Sequence, residues 1–69
     1  MKVKYDKEAD AAYIYLKGSV GKGEVKRTVS MNENIILDFD ADDKLVGIEI
    51  LSASSVVPEG AVGSLQTCA

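Results

Sequence analysis

Asn34-Ile35-Ile36-Leu37-Asp38-Phe39-Asp40-Ala41-Asp42-Asp43-Lys44-Leu45-Val46-Gly47-Ile48-Glu49-Ile50-Leu51 is the stretch that decides the fold. Two apolar runs, Ile35 to Phe39 and Leu45 to Leu51, flank the acidic segment Asp40 to Lys44, and Asp favours turns by bonding to its own backbone. Short, rich in β-branched residues and bounded by turn residues, the runs predict an antiparallel hairpin. With Phe39 opposite Val46, Leu37 opposite Ile48 and Ile35 opposite Ile50, all six apolar side chains share one face, and that is the expected register. A shorter loop with Asp43 as a bulge would set Ile35 against Glu49 and Leu37 against Gly47, wasting the core.

Outward from this hairpin the pattern stays strand-like. Met1 to Tyr5 alternates apolar and basic residues, with Val3 and Tyr5 on one face. Asp6 to Asp10 is polar and turn-prone. Ala11 to Leu16 predicts a second strand, with Ala12, Ile14 and Leu16 on one side and Tyr13 and Tyr15 on the other. A helix over Lys7 to Leu16 is the competing reading, disfavoured by the aromatic and β-branched run Tyr13-Ile14-Tyr15 and by Gly18 at its end. Gly18 to Gly23 is a loop without a phosphate signature, since a strand rather than a helix follows it. Glu24 to Ser30, with Val25 and Val29 facing one way, suits an edge strand, and Asn32-Glu33-Asn34 a turn. Ser52 to Ser55 ends the sheet, and Pro58-Glu59-Gly60 starts a small-residue tail, either a weak helix or a mobile end. The expectation is a β-rich domain (all-β or α+β) over residues 1–55, built as a single small antiparallel meander sheet, with a C-terminal helix or tail over 56–69.

At 69 residues the chain has room for one domain, and so small a core generally needs a staple. Cys68 is the only cysteine and there is no histidine, so neither an internal disulfide nor a zinc knuckle is expected. Oligomerisation remains. A hydrophobic fraction of 46% with 28% charged residues marks a globular chain rather than a disordered one. Eight Lys and Arg against eleven Asp and Glu leave a net charge of -3, and the one basic cluster, Lys22 to Arg27, is interrupted by Gly23, Glu24 and Val25. Nucleic acid is therefore not an expected partner. No secretory h-region and no bilayer-length apolar run is present, so the expected location is cytoplasmic, without a membrane partner.

Asp38, Asp40 and Asp42 stand at alternate positions and Glu49 falls twelfth, the spacing of an EF-hand calcium loop except that Asp43 occupies the glycine position. Strand geometry works against it: at about 3.3 Å per residue, Asp38 and Asp42 would be roughly 13 Å apart. A solvated acidic turn is the preferred reading. Asp10, Asp38 and Glu49 form a second candidate, the last two sharing a face with Tyr13 and Tyr15, where paired carboxylates could do acid and base work. Without a nucleophile or a histidine, they are expected instead to accept hydrogen bonds from tyrosine hydroxyls, Arg27 or turn amides. Ser52, Ser54 and Ser55 have no activating base, and Cys68 reads as an incidental thiol. Tyr13, Tyr15, Ile36, Leu45 and Leu51 are expected on that second face, which the C-terminal tail would cover in part and a second copy of the chain more fully.

Tyr5-Asp6, Glu8-Ala9-Asp10-Ala11-Ala12-Tyr13-Ile14, Ile36-Leu37-Asp38-Phe39-Asp40 and Leu45 to Leu51 followed by Ala53-Ser54 together resemble the signature of a widespread group of small, mostly bacterial, stand-alone proteins catalogued as a domain of unknown function. The resemblance covers about residues 3 to 54. It implies no substrate, cofactor or catalytic residue, and since members commonly have glycine where Asp43 stands, it implies a tight turn there. The expected function is a non-enzymatic, dimeric protein-interaction module whose edge strand or tyrosine face binds another small protein. The alternative is a small-ligand or divalent-cation binder using the acidic 38–49 hairpin, and no cofactor is expected.

Overall fold

Alternation of apolar and polar side chains puts the chain into five short strands. The computed structural model describes residues 2–18, 20, 21 and 23–67. Met1, Ser19, Lys22, Cys68 and Ala69 lie outside the described residues, and with them the start of the first expected strand, parts of the glycine loop and basic cluster, and the reading of Cys68. The elements are β1 (Lys2–Asp6), β2 (Ala11–Tyr15), β3 (Arg27–Ser30), β4 (Ile35–Phe39), β5 (Leu45–Ile50), α1 (Ala53–Val56) and α2 (Ala61–Thr67). The strands form one antiparallel sheet in the order β1-β2-β5-β4-β3. This is the β-rich antiparallel fold that the sequence predicts, with its meander divided into two runs. The β1–β2 hairpin and the β3–β4–β5 run meet where β2 pairs with β5, so the connection after Tyr15 must reach the far edge of the sheet.

Local chemistry selects strand over helix at the first turn. The Asp6 carboxylate accepts the Glu8 and Ala9 amides at 3.0 and 3.2 Å, and Asp10 closes the turn in the left-handed region at φ 53°. β3 is shorter than the expected Glu24 to Ser30. It begins at Arg27, after the Lys26 amide donates to the Phe39 carbonyl at 2.8 Å.

The main hairpin keeps two of its three expected pairs and changes the third. Ile35 faces Ile50 and Leu37 faces Ile48, but Phe39 faces Leu45 rather than Val46. The turn is the cause. The Asp40 side chain accepts the Asp42 and Lys44 amides at 2.9 and 3.0 Å, the Asp40 amide donates to the Lys44 carbonyl at 2.9 Å, and Asp43 takes φ 59°. So tight a turn brings Leu45 opposite Phe39, and the register shifts at Asp38/Phe39, leaving Val46 as the surplus residue on β5. The bulge restores the aliphatic pairing further along. Both competing sequence readings thus hold in part: the loop is short, and the core is not lost.

Beyond β5, Ser52 at φ 53° turns the chain back onto the aliphatic face, where Ala53 is fully buried against Ala12 and Ile50. Tyr5, Ile14, Ile48, Val56 and Val57 surround that cluster, and α2 lies against β1. The expected boundary after residue 55 therefore falls inside α1. The tail covers the aliphatic face and not, as expected, the tyrosine face, because the αL turn at Ser52 and the Ala53 amide, 2.8 Å from the Asp10 carbonyl, direct it there.

Candidate functional site

Tyr13 and Asp38 belong to strands that do not touch. Tyr13 is in β2 and Asp38 in β4, with β5 between them. Gly47 of β5 pairs with Asp38 on one side and Tyr15 on the other, and the Tyr13 ring lies across it. A β-carbon added at Gly47 would fall on the Tyr13 hydroxyl. Over that bare backbone the Tyr13 hydroxyl donates to Asp38 Oδ2 at 2.7 Å, while the Thr28 hydroxyl donates to Oδ1 at 2.8 Å. Side chains of β2, β3 and β4 are tied through one carboxylate. Tyr15 stacks edge-on against Tyr13, ring centroids 4.7 Å apart, and the Lys2 ammonium lies 5.7 Å from the Tyr15 ring. Burial, and then the bond to Asp38, push the Tyr13 hydroxyl far above the usual tyrosine range. It is a fixed proton donor at neutral pH, not a base.

Asp10 lies elsewhere, at the β1–β2 turn. Its carboxylate accepts the Tyr5 hydroxyl at 2.6 Å, the Ser54 hydroxyl at 2.6 Å and the Ser54 amide at 3.1 Å. With the Ala53 amide on its carbonyl, Asp10 caps the start of α1 from a distant part of the chain, a role the local residue Ser52 does not fill. Donation from Ser54 and then Tyr5 holds the Asp10 carboxyl below the usual range, while Tyr5 is raised by the same bond. The Ser54 hydroxyl points its proton at a weakly basic carboxylate. That arrangement does not activate a nucleophile.

The acids of the hairpin are held apart. Asp38 faces Tyr13 and Thr28, whereas Asp40 closes the turn through the Asp42 and Lys44 amides. Those amides, Lys44 first, lower the Asp40 carboxyl. Asp42 is exposed, Asp43 pairs with Arg27 Nε at 3.2 Å, and Glu49 sits between Tyr13 and Ile36 in the sheet. Among the described residues no three His, Cys, Asp or Glu side chains are arranged to hold a metal ion. Asp10, Asp38 and Glu49 likewise do not form one site. The first bonds the start of α1 while the second bonds Tyr13 and Thr28, and only Asp38 and Glu49 flank Tyr13.

On the tyrosine face, Tyr13, Tyr15, Ile36 and Leu51 are all half-buried. Leu45, likewise half-buried, pairs with Phe39 across the register shift at Asp38/Phe39. An open groove of about 470 Å³ runs between Tyr13, Tyr15 and Asp38 on the sheet and Val20 and Val25 of the β2–β3 connection. That connection, rather than the tail, lies over part of the face.

This combination, a β2 tyrosine reaching a β4 aspartate over a β5 glycine, with Asp10 clamping Ser54, ties together residues found along most of the chain. Residues 2–54 match the family described as "Protein of unknown function (DUF2283)". The chain belongs to that family. This DUF2283 chain is similar to the uncharacterized protein MJ0789 of Methanocaldococcus jannaschii, 38% identical over 56 residues, which are 81% of this chain and 44% of that protein. The chain therefore spans under half of that relative's length. No solved structure matches it significantly.

Sequence reasoning finds Tyr13, Asp38 and Asp10, and its expectation that these acids accept tyrosine hydroxyls holds for Tyr13 on Asp38 and Tyr5 on Asp10, but it misses Thr28, Gly47 and Ser54. Thr28 carries no signal in a half-exposed strand. Gly47 does: a glycine inside an apolar strand marks a close approach of another group. Ser54 is recoverable only from the way its chain segment folds back on the first turn.

Proposed function

We propose that this DUF2283 protein is a non-enzymatic, dimeric protein-interaction module. The observation that carries the reading is β4. It is an inner strand with apolar residues at Ile35, Ile36, Leu37 and Phe39, yet every residue in it is only half-buried. Apolar area left in contact with water costs about 25 cal/mol per Å², so a surface of this kind gains by association. Catalysis has little to draw on, because Tyr5, Tyr13, Asp10, Asp38 and Ser54 are hydrogen-bonded among themselves. Light scattering at micromolar concentration should give about twice the 7.4 kDa chain mass, with a melting temperature that rises with protein concentration. A single-chain mass at all concentrations overturns the reading.

A second reading is a small-ligand or divalent-cation binder using the 38–49 hairpin, and it has the open groove beside Asp38 in its favour. Its test is a saturable rise in melting temperature with calcium or magnesium that disappears in Asp40→Ala.

A further inference from the structure

The two edges of the sheet differ in chemistry. β1 presents Lys2, Lys4 and Asp6, all exposed, and has α2 against it, which blunts an edge toward further strands. β3 presents Arg27-Thr28-Val29-Ser30 and, among the described residues, has no strand beyond it in the sheet. The Met31 amide donates to the Ile35 carbonyl at 2.8 Å, one step past the Ser30–Ile36 pair. In an antiparallel ladder the bonded pairs alternate, so Val29 and Met31 bond toward β4 while the main chain of Thr28 and Ser30 is turned to the open edge.

We infer that this open edge is a self-pairing surface, with Thr28 of one copy opposite Ser30 of a second copy about a two-fold axis through Val29. The inference rests on the dimeric reading above and names its surface. An edge whose outward groups lie at positions i and i+2 is complementary to itself: the antiparallel match satisfies the outward N–H and C=O of both Thr28 and Ser30 on each copy. The same register sets Arg27 opposite Met31, which is 64% exposed and the exposed large apolar side chain among the described residues. Met31 of the second copy would then lie beside Arg27, whose guanidinium sits 4.4 Å from the Phe39 ring. Charge does not oppose the match. Thr28, Val29, Ser30 and Met31 are neutral, and Arg27 is neutralised by Asp43 of its own chain. Two copies joined this way form one continuous sheet in which β3 is no longer an edge.

A cysteine at the axis tests the register. In a Cys68→Ala background, Val29→Cys places two thiols at a non-bonded pair with Cα atoms about 4.5 Å apart, within disulfide reach. Copper phenanthroline, as the oxidant, should convert this variant to covalent dimer, while Lys4→Cys on the other edge should stay single-chain. Ser30→Pro removes an outward N–H without touching a bond to β4 and should raise the dimer Kd by more than about tenfold, with the far-UV circular dichroism unchanged. A dimer by light scattering that neither crosslinks through Val29→Cys nor weakens in Ser30→Pro overturns the edge pairing and leaves the interaction reading standing. A single-chain mass for the unmodified protein overturns both.

Discussion

β1, β2, β5 and α1 contain every described residue that is buried, namely Val3, Ala12, Val46, Gly47, Ile50 and Ala53, whereas β3 and β4 contain none. Yet β4 is as apolar as β5. The difference is one of cover. The chain leaves β5, turns at Ser52 and lays α1 and Val57 over Ala12, Ile14 and Ile50, and among the described residues that cluster takes none from β4 or β3. Apolar composition makes a strand fit to be buried. Whether it is buried depends on where the following segment docks.

The sharpest way to break this comparison is to truncate one large side chain in each half. Ile50→Ala in the covered half should cost about 2 to 5 kcal/mol, enough to unfold most of so small a domain, while Leu37→Ala, half-buried in β4, should cost about 1 to 2 kcal/mol. Urea unfolding of both variants at one protein concentration decides. Equal losses would mean that the two halves are equally packed in solution.

The seam between the halves is the Tyr13–Gly47–Asp38 crossing. Gly47→Ala displaces the Tyr13 ring, and Tyr13→Phe removes the same hydrogen bond, so each should cost about 1 to 3 kcal/mol. Because both act on one contact, the double variant should lose clearly less than their sum in a denaturant cycle. Additive losses would separate Gly47 from the Tyr13–Asp38 bond.

The smallest effect concerns Asp10, which acts on the covered half alone. Its carboxyl is held below the usual aspartate range by Ser54 first and Tyr5 second. A folded-state pKa below the unfolded one contributes stability that is present above the ordinary aspartate range and is lost as pH falls through the folded value. The melting temperature should therefore hold from neutrality to about pH 5 and fall by several degrees below about pH 4. Asp40 and Glu24 shift in the same direction, so Asp10→Asn should flatten the acid slope in part. An unchanged slope would remove Asp10 from the clamp.

Hydrophobic alternation and turn chemistry in the sequence were sufficient for the β-rich class, the strand positions within a few residues, and the Ile35–Ile50 and Leu37–Ile48 pairs. Side-chain period and turn preference are local properties, which is why they can be read without coordinates. The Phe39–Leu45 pair was not legible. Its register results from competition between a turn that closes at Asp40 and Lys44 and a core that needs Leu37 on Ile48, and the bulge at Val46 resolves it only once both are formed. Of the candidate site, the tyrosines and acids stood out by residue type, and so did the acids' role as acceptors of tyrosine hydroxyls, but not which acid meets which partner. Asp38 meets Tyr13 across 25 positions and Asp10 meets Ser54 across 44. The strand order β2-β5-β4 and the return of α1 create those contacts, and no periodicity in the chain encodes which distant segments will share a carboxylate.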